Sequence, residues 1–180
     1  MVVSYRLRDK FITLDEISDV LAIRPLAPNG SDLNTAIESV GIRYSPRAAD
    51  EIIPIEEVRY FEAAGWIFLR LQGISTPLAI KRLIKLGMYV GRIYLNEDRH
   101  LLIGTTRLTV KLLDNLAPDD IELIFARYRL KMVRKLGFSS NLFTVEVENH
   151  HDIVELALNL AQQSEFIAAE PQLLEPMQTR

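Results

Sequence analysis

The chain has 180 residues, no cysteine and a formal net charge of −3, which removes disulfide frameworks, thiolate metal sites and thiol catalysis together. At 48% hydrophobic and 25% charged residues it has the composition of an ordinary globular protein, long enough to bury roughly 70% of its unfolded surface without a metal or disulfide staple. Basic residues are scattered along the sequence among acidic ones, so the basic stripe of a nucleic-acid binder is not expected. No apolar run reaches the roughly 20 residues of a membrane span, so no membrane partner is expected.

Val2 to Leu7 and Phe11 to Leu14 predict a short hairpin around Asp9-Lys10, and Val20 to Arg24 a third strand closed by Pro25. Ser31, Asp32 and Asn34 open a helix whose stripe is Leu33, Ala36, Ile37 and Val40, and Gly41 ends it. The polar, Pro-broken segment after Ser45 predicts an inserted loop. Val58 to Ala63 and Trp66 to Leu71 predict a hairpin turning at Ala64-Gly65, with Trp66 in the core. Thr76-Pro77 opens a second helix, with proline where its missing N–H costs nothing. Ile80, Leu83 and Ile84 are its stripe and Gly87 its end. Met88 to Leu95 is a strand, Asn96-Glu97-Asp98 a turn, and His100 to Ile103 leads onward.

The same order then recurs. Leu108, Val110 and Leu112 share one face of a strand. Ala117-Pro118-Asp119-Asp120 starts a helix with Ile121, Ile124, Phe125 and Tyr128 in line, its acidic pair matched to the positive helix end. Leu130 to Leu136 and Leu142 to Val147 make a hairpin around Gly137. His151-Asp152 opens a helix carrying Ile153, Leu156, Ala157, Leu160 and Ala161. Glu165 to Glu170 is a last strand, expected to stop at Pro171.

Laid over each other, AGWIFLRL from Ala64 matches SNLFTVEV from Ser140 at an offset of about 76, a domain-sized internal period. The first strands need a larger offset, which the loop after Ser45 absorbs. The predicted unit is β-α-β-β-α-β, the split-βαβ or ferredoxin-like order. The expected fold is therefore α+β: two tandem ferredoxin-like subdomains, each an antiparallel sheet with helices on one face and the other face left open. Residues 1–104 form the first, degenerate repeat with the N-terminal hairpin, 105–174 the second, and 175–180 a C-terminal tail.

The second half, from LTVKLLDNLAPDDIELIFARYRLKMVRKLGFSSNLFTVEV to IVELALNLAQQSEFIAAEPQLL, resembles the prodomain of subtilisin-like serine proteases of the fervidolysin kind. The resemblance rests on the strand before an acidic helix start and on the Leu136-Gly137 turn before an Asn141-led strand. It rests also on the strand closing in Ala169-Glu170-Pro171. It covers about 70 residues as one unit; the first half fits a degenerate copy lacking Ala-Glu-Pro. The resemblance implies no catalytic activity in this chain, whose partner is a subtilisin-like catalytic domain in the same polypeptide or in trans. The chain would act on it as folding chaperone and inhibitor. It implies two docking parts: a sheet face carrying Leu142, Thr144 and Glu146, and an inhibitory tail led by Ala169, Glu170, Pro171, Gln172 and Leu173. The alternatives are a tandem ACT-like module binding a small ligand between the repeats, and a stand-alone protease inhibitor.

Other chemistry is weakly signalled. The chain has three histidines, and Ser139 or Ser140 with His150 and Asp152 would make a triad only outside any GxSxG elbow. His150-His151-Asp152 lacks metal-ligand spacing, and no glycine-rich phosphate loop is present, so neither metal nor cofactor is expected. No apolar signal precedes the first strand, which leaves either a cytoplasmic chain or one that begins after a signal.

Overall fold

The structure is a computed structural model describing residues 1–7, 10–26, 33–45, 53–147 and 152–176. Among the described residues five helices and nine strands alternate in an α+β arrangement whose strand pairing is mostly antiparallel. The chain groups into two units. One holds Met1, Asp15–Ile103 and the residues from Leu174; the other holds Val2–Leu14 and Gly104–Leu173. The boundary lies one residue from the expected 104/105 division, but the N-terminal hairpin segment groups with the second unit, not the first. Strands β1 (Val2–Leu7) and β2 (Lys10–Pro25) pair with each other. β2 runs on as one strand where two were expected, taking up the excess in an irregularity between Glu16 and Leu21.

In the first unit β2 is followed by α1 (Leu33–Ser39), β3 (Arg43–Ser45), α2 (Ile55–Ala63), β4 (Ile67–Gln72), α3 (Thr76–Lys85) and β5 (Met88–Leu95). The strand order is β3-β4-β2-β5. One sheet face packs Leu21, Ile23, Leu69 and Val90 against Ile37 of α1 and Ala79, Ile80 and Leu83 of α3. The opposite face packs Val20, Ala22, Phe68 and Ile93 against Val58 and Phe61 of α2. This corrects two expectations. Residues 58–63 are helix and not strand: Val58 and Phe61 are buried at a spacing of three, and Glu56 and Glu57 sit in the first turn, where the helix dipole favours them. In consequence the first sheet has helices on both faces, and α2 fills the side that was expected to stay open. Trp66 lies in this second core, edge-on to Tyr89 with ring centroids 5.7 Å apart.

The second unit takes β6 (Leu101–Leu112) from Gly104 onward, then α4 (Pro118–Arg127), β7 (Leu130–Lys135), β8 (Leu142–Val147), α5 (Ile153–Ala161) and β9 (Phe166–Leu174). Its order is β7-β8-β6, with β9 paired to the free side of β6. Leu108, Val110, Leu112, Phe143 and Val145 are buried, as are Ile121, Ile124 and Phe125 of α4 and Val154, Ala157 and Leu160 of α5. The Phe125 ring meets Phe143 edge-on at 5.3 Å. Asp152 caps α5, its Oδ1 accepting from the Val154 and Glu155 amides at 3.2 and 3.3 Å. Asn141 enters β8 at φ 45, a left-handed conformation asparagine tolerates. Its amide donates to the Leu113 carbonyl at 2.8 Å, tying the β6–α4 turn to β8.

Candidate docking surface

Residues directly opposite each other in a ladder point to the same side of the sheet. Between β6 and β8 the pairs are Arg107–Glu146, Thr109–Thr144 and Lys111–Leu142; between β7 and β8 they are Lys131–Glu146 and Arg134–Thr144. Leu142, Thr144 and Glu146 therefore share one face with Arg107, Thr109, Lys111, Lys131 and Arg134. Phe143, Val145, Leu108 and Val110 face the helices. No described helix of the second unit packs on the first of these faces.

The three expected face residues differ in accessibility. Leu142 and Glu146 are half-buried. Thr144 was expected to face outward and is only 4% exposed, and its Oγ1 has no hydrogen-bond partner. Glu146 accepts from the Thr106 hydroxyl at 3.1 Å and lies 3.8 Å from the Arg107 guanidinium. Lys111 pairs with Asp114 and donates to the Ser140 carbonyl. The Lys111 ammonium and the Ser140 hydroxyl together hold the Asp114 carboxyl below its ordinary range.

A cavity of about 660 Å³ opens on this face. Thr109, Lys111, Leu142, Ala168 and Glu170 form its floor, and Leu7, Lys10 and Phe138 its walls. Phe138, at the turn between β7 and β8, is 82% exposed. Neither the N-terminal wall nor Phe138 was anticipated from sequence. An aromatic next to Gly137 in a hairpin turn was the available signal.

Ala169, Glu170, Pro171, Gln172 and Leu173, expected as a tail, lie inside β9. The strand does not stop at Pro171, which is buried within it. Within the second unit β9 is an edge strand, where a missing N–H can face away from the ladder at little cost. Gln172 is held on both sides: its carbonyl accepts from the Thr105 hydroxyl at 2.6 Å, and its amide donates to the Thr109 hydroxyl at 3.1 Å. Residues 177–180 of the expected tail, and His150 and His151, lie outside the described residues. Of the serines weighed for a triad, Ser140 donates to Asp114, and Asp152 is engaged as the α5 cap.

In the first unit His100 and Glu57 form a second polar cluster. His100 Nδ1 lies 2.7 Å from Glu57 Oε1, and Glu57 also accepts from the Leu101 amide. The Glu57 carboxylate raises the imidazole pKa above its ordinary value of 6.5, with smaller contributions from Asp98 and Glu175.

No family model, no curated protein and no solved structure matches the chain.

Proposed function

We propose that the chain consists of two tandem ferredoxin-like units and works as the prodomain of a subtilisin-like serine protease, assisting the folding of the catalytic domain and inhibiting it. The fold reading is supported by strand order. Numbered within each unit, the strands of both units run second-third-first-fourth, β3-β4-β2-β5 and β7-β8-β6-β9, which is the ferredoxin-like sequence of strands.

The observation that carries the functional reading is the difference between the strands of the two units. Those of the first are buried on both faces, with α2 over the second face. Those of the second carry half-exposed Leu142 and Glu146, exposed Lys131 and Arg134, and a cavity on the face that no described helix of their unit covers. A preformed face of this kind docks at a smaller entropic cost than a disordered segment.

Titration into a subtilisin-like catalytic domain tests the reading. The intact chain slows peptide hydrolysis. A chain ending at Leu174 inhibits less while keeping its fold, because the cut falls after β9. Leu142→Asp folds and inhibits less. Absence of inhibition by the intact chain, or equal inhibition by all three, removes the reading. One observation favours a second reading, a small-ligand-binding module: the cavity has the size and mixed lining of a ligand site. A rise in melting temperature with free amino acids, together with no effect on the protease, would select it.

A further inference from the structure

The charges on the helix-free face of the second unit are set against the rest of the molecule. The chain as a whole is at −3. On this face Lys131, Arg134 and Arg107, with Lys10 at the cavity wall, stand against Glu146 and Glu170, while Lys111 is taken up by Asp114. Arg134 reaches the face only because β7 carries a bulge. Lys131 pairs with Glu146 and Met132 with Val145, but the next partner, Thr144, stands opposite Arg134 rather than Val133. A regular ladder would put Val133 on the face and turn Arg134 to the helix side. Bulges re-aim side chains in this way, and here the result exchanges an apolar residue for a cation.

Beside Arg134 is the Thr144 hydroxyl, buried and without a partner. A carboxylate arriving beside Arg134 neutralises the exposed guanidinium.

We propose that the surface which docks on this face is an acidic protein segment, bringing carboxylates to Arg134 and Lys131 and one apolar side chain to the cavity between Leu142 and Phe138. The inference rests on the docking role proposed above and specifies the partner's chemistry. Long-range attraction of this kind raises the association rate and fixes register, and it weakens with salt. Phosphates would satisfy the same cations. Single-stranded nucleic acid, however, stacks successive bases on aromatic platforms, and Phe138 is the single aromatic residue among those lining the cavity on this face.

The test is fluorescence anisotropy of the full chain with two labelled probes: a Glu-rich peptide of about twenty residues with one central leucine, and oligothymidylate of about the same length. The peptide binds, and its affinity falls by about tenfold or more between about 50 and 200 mM salt. Binding is lost in the Lys131→Glu, Arg134→Glu double variant. The Lys131→Gln, Arg134→Gln pair serves if the first variant does not fold. The Lys81→Glu, Lys85→Glu pair on α3 makes the same change in net charge and leaves binding intact. No peptide binding, equal loss in the α3 pair, or tighter binding of the oligonucleotide overturns the inference. Protease inhibition that persists in the double variant also overturns it but leaves the prodomain reading standing. Peptide binding without protease inhibition does the reverse.

Discussion

Arg134 stands directly opposite Thr144 in the β7–β8 ladder, although it follows Lys131, the residue opposite Glu146, by three positions and not two. This one irregularity decides which β7 side chains reach the helix-free face. It also places a cation next to a buried hydroxyl that has no partner.

That hydroxyl gives the first prediction. An unsatisfied buried hydroxyl costs about 1–3 kcal/mol, and valine has the same branched shape in a strand. Thr144→Val therefore stabilises the free chain by about 1 kcal/mol, read as a rise in the urea midpoint. A fall in stability of more than about 0.5 kcal/mol would mean that the hydroxyl is paired in solution.

The second concerns α2. Phe61 is 2% exposed and meets Phe68 edge-on at 6.4 Å. Phe61→Ala leaves a cavity in the core under α2 and lowers stability by about 3–5 kcal/mol. Leu123→Ala, at a site 64% exposed on α4, changes it by less than about 0.5 kcal/mol. Equal effects in denaturant titrations would show that α2 does not seal the first sheet.

The third concerns pH. Folding raises the His100 pKa above 6.5, chiefly through the hydrogen bond to Glu57. A raised value means that the folded state holds the proton more tightly. The resulting stabilisation is fully present below 6.5 and fades as pH rises through the folded value. Urea midpoints measured at about pH 6 and about pH 8.5 show this fading in the wild type and not in His100→Gln. An NMR titration of the imidazole places its pKa above 6.5, and Glu57→Gln returns it toward that value. An unshifted wild-type titration contradicts the His100–Glu57 geometry.

The fourth concerns the α5 cap. Asp152→Ala removes the acceptor for two helix-end amides and costs about 1 kcal/mol, whereas Asp152→Asn or Asp152→Ser costs little. If all three substitutions cost the same, charge or packing matters at this position rather than capping.

Most elements of the second unit were legible because their periodicities are clean. Leu108, Val110 and Leu112 alternate with Thr109 and Lys111, and the α4 and α5 stripes have helical spacing. Leu142, Thr144 and Glu146 lie on the opposite side of the ladder from Phe143, Val145 and Val147, as alternation implies, but alternation could not show that Thr144 is sealed. The first unit was misread where two physical signals compete. Val58, Tyr60 and Phe61 are strand-forming residues followed by Ala64-Gly65, so a hairpin was the natural reading, yet the acidic first turn and the buried pair three apart make them a helix. The clue to a sheet covered on both faces was the unbroken apolar run Val20-Leu21-Ala22-Ile23, since a one-faced strand alternates. At the offset of about 76, Phe68 falls on Thr144: the first unit puts an aromatic under α2 where the second has a hydroxyl. The continuation of β9 through Pro171 depends on a partner remote in sequence, β6, and no local pattern marks it or the bulge in the β7–β8 hairpin.

The measurement closest to the central claim is refolding of a denatured subtilisin-like catalytic domain with the chain supplied in trans, scored by protease activity after the chain has been removed. Recovery rises with added chain, and the rise disappears with Leu142→Asp, which alters the docking face while leaving the helix-side core untouched. Recovery that is the same with and without the chain, or that Leu142→Asp supports as well as the wild type, would contradict the assignment of the helix-free face of the second unit as the surface that templates a protease.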